Sequence, residues 1–143
     1  MRKLLSLLFL GFTSIAFAQT PSTIGRIEIL SPEMEKYVSA DAKIEVLAGG
    51  FTWVEGPVWI ASDGGGHLLF SDIPRNSIFK WSAARGIELF MRPSGYTGVS
   101  YYGLEPGTNG LAVDAQGRLT MCEHGDRRVS VLTHGGGKLT LAD

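Results

Sequence analysis

The 143 residues hold a single cysteine, Cys122. An oxidising compartment offers it no partner within the chain, so a disulfide-stapled fold is excluded. Clustered positive charge is also missing. Thirteen Lys and Arg stand against 14 Asp and Glu, a formal net charge of −1, and this balance excludes the basic domain of a nucleic-acid binder. The only long apolar run, Leu4 to Ala18, is short of the roughly 20 residues that span a bilayer. Arg2 and Lys3 precede it and "AFA" closes it before Gln19, the pattern of a secretory signal peptide over residues 1–18. No cysteine stands just after the cut to carry a lipid, so the mature protein is expected to be secreted or periplasmic, without a membrane anchor. Losing Arg2 and Lys3 leaves 11 basic against 14 acidic residues, a mildly acidic chain.

Beyond the leader the chain is patterned. Residues 19–42 are polar and proline-marked, a lead-in with a short helix expected over Pro32 to Tyr37. From Lys43 on, short β-type runs recur between glycine, aspartate and asparagine: "KIEVLAG", "GPVWIA", "HLLFSD", "SIFKW", "IELFM", "GLAVDA", "RLTMCE", "RVSVL" and "KLTLAD". Runs this short and regular predict an all-β sandwich, barrel or propeller.

Internal repetition selects among the three. "EGPVWIASDGGGHLLFSDIPRNSIFKW" superposes on "NGLAVDAQGRLTMCEHGDRRVSVL", so that Gly56 meets Gly110, Gly66 meets Gly117, Asp72 meets Glu123 and Trp81 meets Leu132. The offset is 54 before the "SDGGG" turn and 51 after it, a difference that one turn absorbs. A third strand type comes after each unit, as "GIELFMR" and "GKLTLAD", and "KIEVLAG" precedes the first. Four strands per repeat of about 40 to 50 residues predict a β-propeller. Residues 43–143 would then form about two blades, with "KIEVLAG" as the outer strand that closes the ring. Propellers have roughly 4 to 8 blades, so this stretch is expected to be the N-terminal portion of a larger ring.

The superposition explains a carboxylate in apolar company. Glu55, within "FTWVEGPVW", falls on Asn109, each directly before a glycine at the start of an inner strand. Equivalent inner-strand positions converge on the channel of a propeller, so these two residues predict a ring of oxygen ligands at its mouth. An unpaired carboxylate in such a surround costs several kcal/mol. A hard divalent cation, calcium or magnesium, is its natural partner. The second strand of each blade returns to the same face, which brings Asp72, Glu123 and His124 there as candidates for substrate contact or proton transfer.

"WVEGPVW", "LLFSDIPRNSIFKW" and "GTNGLAVDAQGRLTMCEHGDRRV" closely resemble the N-terminal part of the gluconolactonase and regucalcin family of six-bladed propellers, over about Lys43 to Asp143. The resemblance implies metal-dependent lactone hydrolysis with Ca2+ or Zn2+ at the channel mouth, acting on a small-molecule lactone or its sugar acid. Glu55, in the "EGP" motif, takes the place of a metal ligand. Asn109, in "NG", takes a substrate-side place beside the metal, and "CEHG", which contains Glu123 and His124, is typical of the bacterial branch. The remaining ligands of the family, an asparagine and an aspartate from later blades, would lie beyond Asp143. Little or no activity is therefore expected of these residues alone.

Blander readings accompany each residue. Asn-Gly is ordinary turn chemistry, and a histidine in a turn is commonly solvated. His67 and His134, beside glycine runs, are expected at the surface, and no helix comes after those runs to make a phosphate cradle. Trp53, Trp59 and Trp81 are expected to pack between blades, and Arg127 and Arg128 to lie on a solvated edge, from which one could reach a carboxylated substrate. "YTGVSYYGLEPGTNG" suits a lid or specificity loop. Fold alone does not set function, so a non-catalytic sugar- or protein-binding propeller is the rival reading. Unpaired strand edges would also permit self-association.

Overall fold

The computed structural model describes residues 22–143; the signal peptide expected over residues 1–18 lies outside them. The chain divides into two compact units, one ending at Glu45 and the other spanning Val46–Asp143. The first holds a short strand β1 (Ser22–Thr23) and a 3-10 helix over Pro32–Lys36, and strand β2 (Glu45–Val46) lies at the division. Proline suits the first helical position because its missing N–H would have no helical partner. Ser31 caps the turn, its Oγ accepting from the Glu33 N–H at 3.4 Å. Of "KIEVLAG", only Glu45–Val46 is strand, and its backbone partner is β1.

The second unit consists of two four-stranded antiparallel sheets. β3 (Val54–Ile60), β4 (His67–Asp72), β5 (Ser77–Ser82) and β6 (Gly86–Met91) pair in that order. β7 (Thr108–Val113), β8 (Leu119–Glu123), β9 (Arg128–Leu132) and β10 (Lys138–Ala142) form the second meander. This is the all-β blade architecture of a propeller. The repeat is visible in the register: Val54 pairs with Asp72 and Asp72 with Ser77, just as Thr108 pairs with Glu123 and Glu123 with Arg128. Those pairings reproduce both offsets read from the sequence. Gly66 and Gly117 adopt positive φ, +82° and +76°, at the matching turns. Glycine reaches that region without the Cβ clash that other residues meet.

Alternation within the strands puts an apolar layer between the sheets. Leu69 and Ile78 from the first meet Leu119 and Met121 from the second, with Val58, Ile60, Met91, Leu111 and Leu132 around them. The opposite face of the first sheet holds Phe70 and Phe79, with Phe51 edge-on to both at 5.0 and 5.2 Å. The tryptophans do not fill the layer between the sheets. Trp59 covers Gly66 of its own hairpin and is half-exposed, as is Trp53. Aliphatic side chains of the strand interiors already occupy the space between the sheets.

Candidate functional site

The two inner strands, β3 and β7, start alike. Each breaks register just after its first residues, between Glu55 and Val58 and between Thr108 and Leu111. A bulge of this kind re-aims side chains and is common beside sites. At the first bulge Gly56 has φ +58°, and a Cβ there would collide with the Asn109 carbonyl and the Leu111 amide nitrogen. Only glycine permits this approach, and through it the backbones carrying Glu55 and Asn109 come together at the same end of neighbouring strands. Behind them, the Ser71 hydroxyl donates to the Asn109 carbonyl at 2.9 Å and, having spent its proton, accepts from Thr108 Oγ1, also at 2.9 Å.

The Asn109 side chain is different, because its Oδ1 is buried and has no hydrogen-bond partner. An unsatisfied buried acceptor costs about 1–3 kcal/mol, so this oxygen suits a donor or a cation from outside the chain. Asn109 lines a cavity of about 460 Å³ together with Cys122, Glu123, His124, Arg127 and Arg128. Glu55 is not part of that wall. A carboxylate and an amide oxygen at matching strand starts form a hard donor set that fits calcium, and zinc also accepts carboxylate. Among the described residues, no group of three His, Cys, Asp or Glu side chains is close enough together to hold a metal. Two oxygens fall short of the four ligands of zinc or the six to eight of calcium.

Glu123 and His124, adjacent in sequence, occupy different environments. Glu123 is 1% exposed, and its carboxylate accepts from Arg128 at 3.1 Å, from Lys138 at 3.0 Å and from the Ser130 hydroxyl. A buried carboxylate held by two cations is a structural anchor in its geometry. His124 is partly exposed, and its Nδ1 lies 2.9 Å from the Glu105 carbonyl. A carbonyl only accepts, so Nδ1 carries a proton, and the Glu105 carboxylate lies 3.7 Å from the same nitrogen. Tyr102 meets the ring edge-on at 5.9 Å and donates its hydroxyl to the His124 carbonyl at 3.0 Å.

The tyrosine-rich loop between β6 and β7 is therefore tied to the cavity wall. Asn76 Oδ1 accepts from the N–H groups of Ser94, Gly95 and Tyr96, and Asp126 accepts from the Thr97 N–H and hydroxyl. Lys138 donates to the Ser94 carbonyl at 2.5 Å as well as to Glu123. Sequence reasoning missed Asn76, Ser94 and Lys138, because each acts across a loop whose path the strand pattern leaves open. The Asn in "PRNS", a residue tolerant of a left-handed turn, was the one available signal. His67 and His134 line a smaller cavity of about 200 Å³ with Ile60, Leu119 and Leu132.

No family model matches the chain. It is 38% identical over 110 residues to a gluconolactonase from Zymomonas mobilis, covering 76% of this chain and 30% of that protein. An X-ray structure of a candidate gluconolactonase aligns with TM-score 0.63 and 32% identity over 80% of this chain and 35% of that one. A gluconolactonase from Xanthomonas campestris, described as important in glucose secondary metabolic pathways, aligns with TM-score 0.66 and 26% identity over 85% of this chain and 36% of its own. The chain thus spans about a third of the length of each of these three proteins.

Proposed function

The chain belongs to the gluconolactonase family, as a part about a third of its relatives' length, and on that basis we propose that its two blades form one wall of a site that hydrolyses a sugar lactone. The buried, unpartnered Oδ1 of Asn109, set where the repeat also puts Glu55, carries this reading. Glu55 and Asn109 would hold a divalent cation, calcium or zinc, together with ligands from outside these residues. A cation there supplies Lewis-acid polarisation of the lactone carbonyl and a lowered pKa for the attacking water.

The chain's own residues do the rest. Asn109 orients the substrate, since its amide offers two N–H donors besides Oδ1. His124, held through Nδ1–H by the Glu105 carbonyl, takes a proton on Nε2 from water as the carbonyl is attacked and returns it to the ring oxygen as the ring C–O bond breaks. Glu123, held by Arg128, Lys138 and Ser130, fixes the turn that presents His124, leaving proton transfer to the histidine. The N-terminal pattern directs the protein out of the cytoplasm; N-terminal sequencing of secreted material is expected to begin at Gln19.

The test measures acid release from D-glucono-1,5-lactone, with and without added Ca2+ or Zn2+. It uses the 143-residue chain and the same chain extended by the later blades of the Zymomonas relative. Metal polarisation is worth several kcal/mol, so Glu55→Gln is expected to lower metal-dependent kcat in the extended chain roughly a hundredfold or more. Turnover that ignores metal and survives Glu55→Gln overturns the reading. Lactone binding without turnover would favour the sugar-binding alternative.

A further inference from the structure

The turn that carries His124 has a counterpart in the first blade, and the comparison shows that the fold needs no histidine there. By the offset of 51, His124 matches Ile73, which is fully buried. An aliphatic side chain fills the place in one blade and a partly exposed imidazole takes it in the other. The loop from Arg92 to Gly107 closes over the second turn: a Cβ on Gly125 would lie 2.4 Å from the Pro106 carbonyl oxygen and 2.5 Å from Tyr96 Cβ. Between those two contacts, Tyr102 donates its hydroxyl to the His124 carbonyl. Glu105 meets the ring twice, its carbonyl at 2.9 Å and its carboxylate Oε2 at 3.7 Å from Nδ1.

Glu105 is the only acidic residue of that loop, and among the described residues His124 is the one ion-pair partner of its carboxylate. The carboxylates nearer in sequence are engaged elsewhere. Glu123 accepts from Arg128, Lys138 and Ser130, and Asp126 accepts from Thr97 and, at 3.5 Å, from Arg128. An imidazole that takes a proton on Nε2 becomes a donor at both nitrogens, with the positive charge spread over the ring. An opposite charge within a few ångströms favours that charged form. The Glu105 carboxylate is near enough to act in this way, while the carbonyl of the same residue receives the Nδ1–H.

We propose that Glu105 is the positioning residue of His124: its carbonyl holds the ring through Nδ1–H, and its carboxylate stabilises the positive charge that the ring gains when Nε2 takes a proton. The catalytic part rests on the reading of His124 as proton acceptor; the pairing does not. The first measurement therefore needs no turnover. Diethyl pyrocarbonate transfers an ethoxycarbonyl group to an imidazole nitrogen, the ring proton leaving with ethyl carbonate, which breaks down to ethanol and carbon dioxide. Peptide mapping of the 143-residue chain reads the rate at each histidine, at pH 8, above the ordinary histidine pKa of about 6.5. Glu105→Gln keeps the carbonyl and the side-chain length and removes the charge. It is expected to slow acylation of His124 roughly threefold or more, with exposed His134 and the melting temperature unchanged, and Glu105→Asp is expected to restore part of the rate. The second measurement is lactone turnover by the extended chain. A positioned base contributes about 10²–10⁴-fold, and Glu105→Gln is expected to lower kcat by roughly tenfold of this at unchanged KM, with no further effect in His124→Gln. Unchanged acylation of His124 in Glu105→Gln, a slowing shared by His134, or a lowered melting temperature overturns the proposal. So does a parental kcat in Glu105→Gln where His124→Gln has lost activity. Full activity in His124→Gln, or no turnover by the parent, overturns the proton-acceptor reading instead, and the acylation rates then decide the pairing by themselves.

Discussion

Asp72 and Glu123 occupy matching repeat positions and are both buried, yet different donors hold them. Asp72 accepts from the N–H groups of Thr52 and Trp53 at 3.1 and 3.3 Å, with Arg75 at 3.4 Å. Glu123 relies on two cations and a hydroxyl. Removing one partner of a buried ion cluster leaves uncompensated charge, at about 3–5 kcal/mol. Glu123→Ala is therefore expected to lower stability by that order in a denaturant titration, and Glu123→Gln by less. The sequence marked both carboxylates as returning to the site face. Their partners were illegible there, because Lys138 reaches Glu123 only after another strand, β9, has been laid down. His67 contributes a pH dependence. Burial, and secondarily Lys80, holds its pKa below the usual 6.5, so below pH 6.5 the unfolded chain binds more protons than the folded one. The stability that the neutral ring provides is full above pH 6.5 and lost as pH falls through the lowered folded value. The urea midpoint of the parent is expected to fall across that window more steeply than that of His67→Gln.

Among the elements, the strands of both blades were legible and the long loop was not. Period-2 alternation bounded by turn residues gave His67–Asp72 and Arg128–Leu132 with their observed limits, and the others within two residues. The loop from Arg92 to Gly107 has no period to read. Its path is set by Asn76, Asp126 and Lys138, which meet it from separate strands and turns. Asn76→Ala leaves the Gly95 and Tyr96 N–H groups without their acceptor, while the Ser94 N–H keeps the Asn76 carbonyl at 2.9 Å, and an unsatisfied group costs about 1–3 kcal/mol. That variant is expected to lose about 2 kcal/mol of stability and to speed amide exchange at Gly95 and Tyr96 more than at Ser94. Gly56→Ala is expected to be worse, since the new methyl group meets the Asn109 carbonyl. Backbone on both strands must then move, and the bulges that present Glu55 and Asn109 separate.

For the Val46–Asp143 unit as a whole, the apolar layer joins the two sheets into one cooperative body. Met121 is fully buried in it, so Met121→Ala is expected to cost about 2–5 kcal/mol while thermal unfolding stays a single transition by far-UV circular dichroism. Separate transitions for the two sheets would show that each folds alone. The sequence by itself determined the blade repeat, its two offsets and the matching of Glu55 with Asn109, because strand alternation and turn glycines are local properties that recur with the chain. Which polar groups are spent and which are free was decided only by the tertiary structure. Glu123 is paired with Arg128 and Lys138, the His124 ring is held by the Glu105 carbonyl, and Asn109 Oδ1 is left without a partner. Electrostatic and hydrogen-bond partnerships depend on distances of a few ångströms that no local pattern encodes.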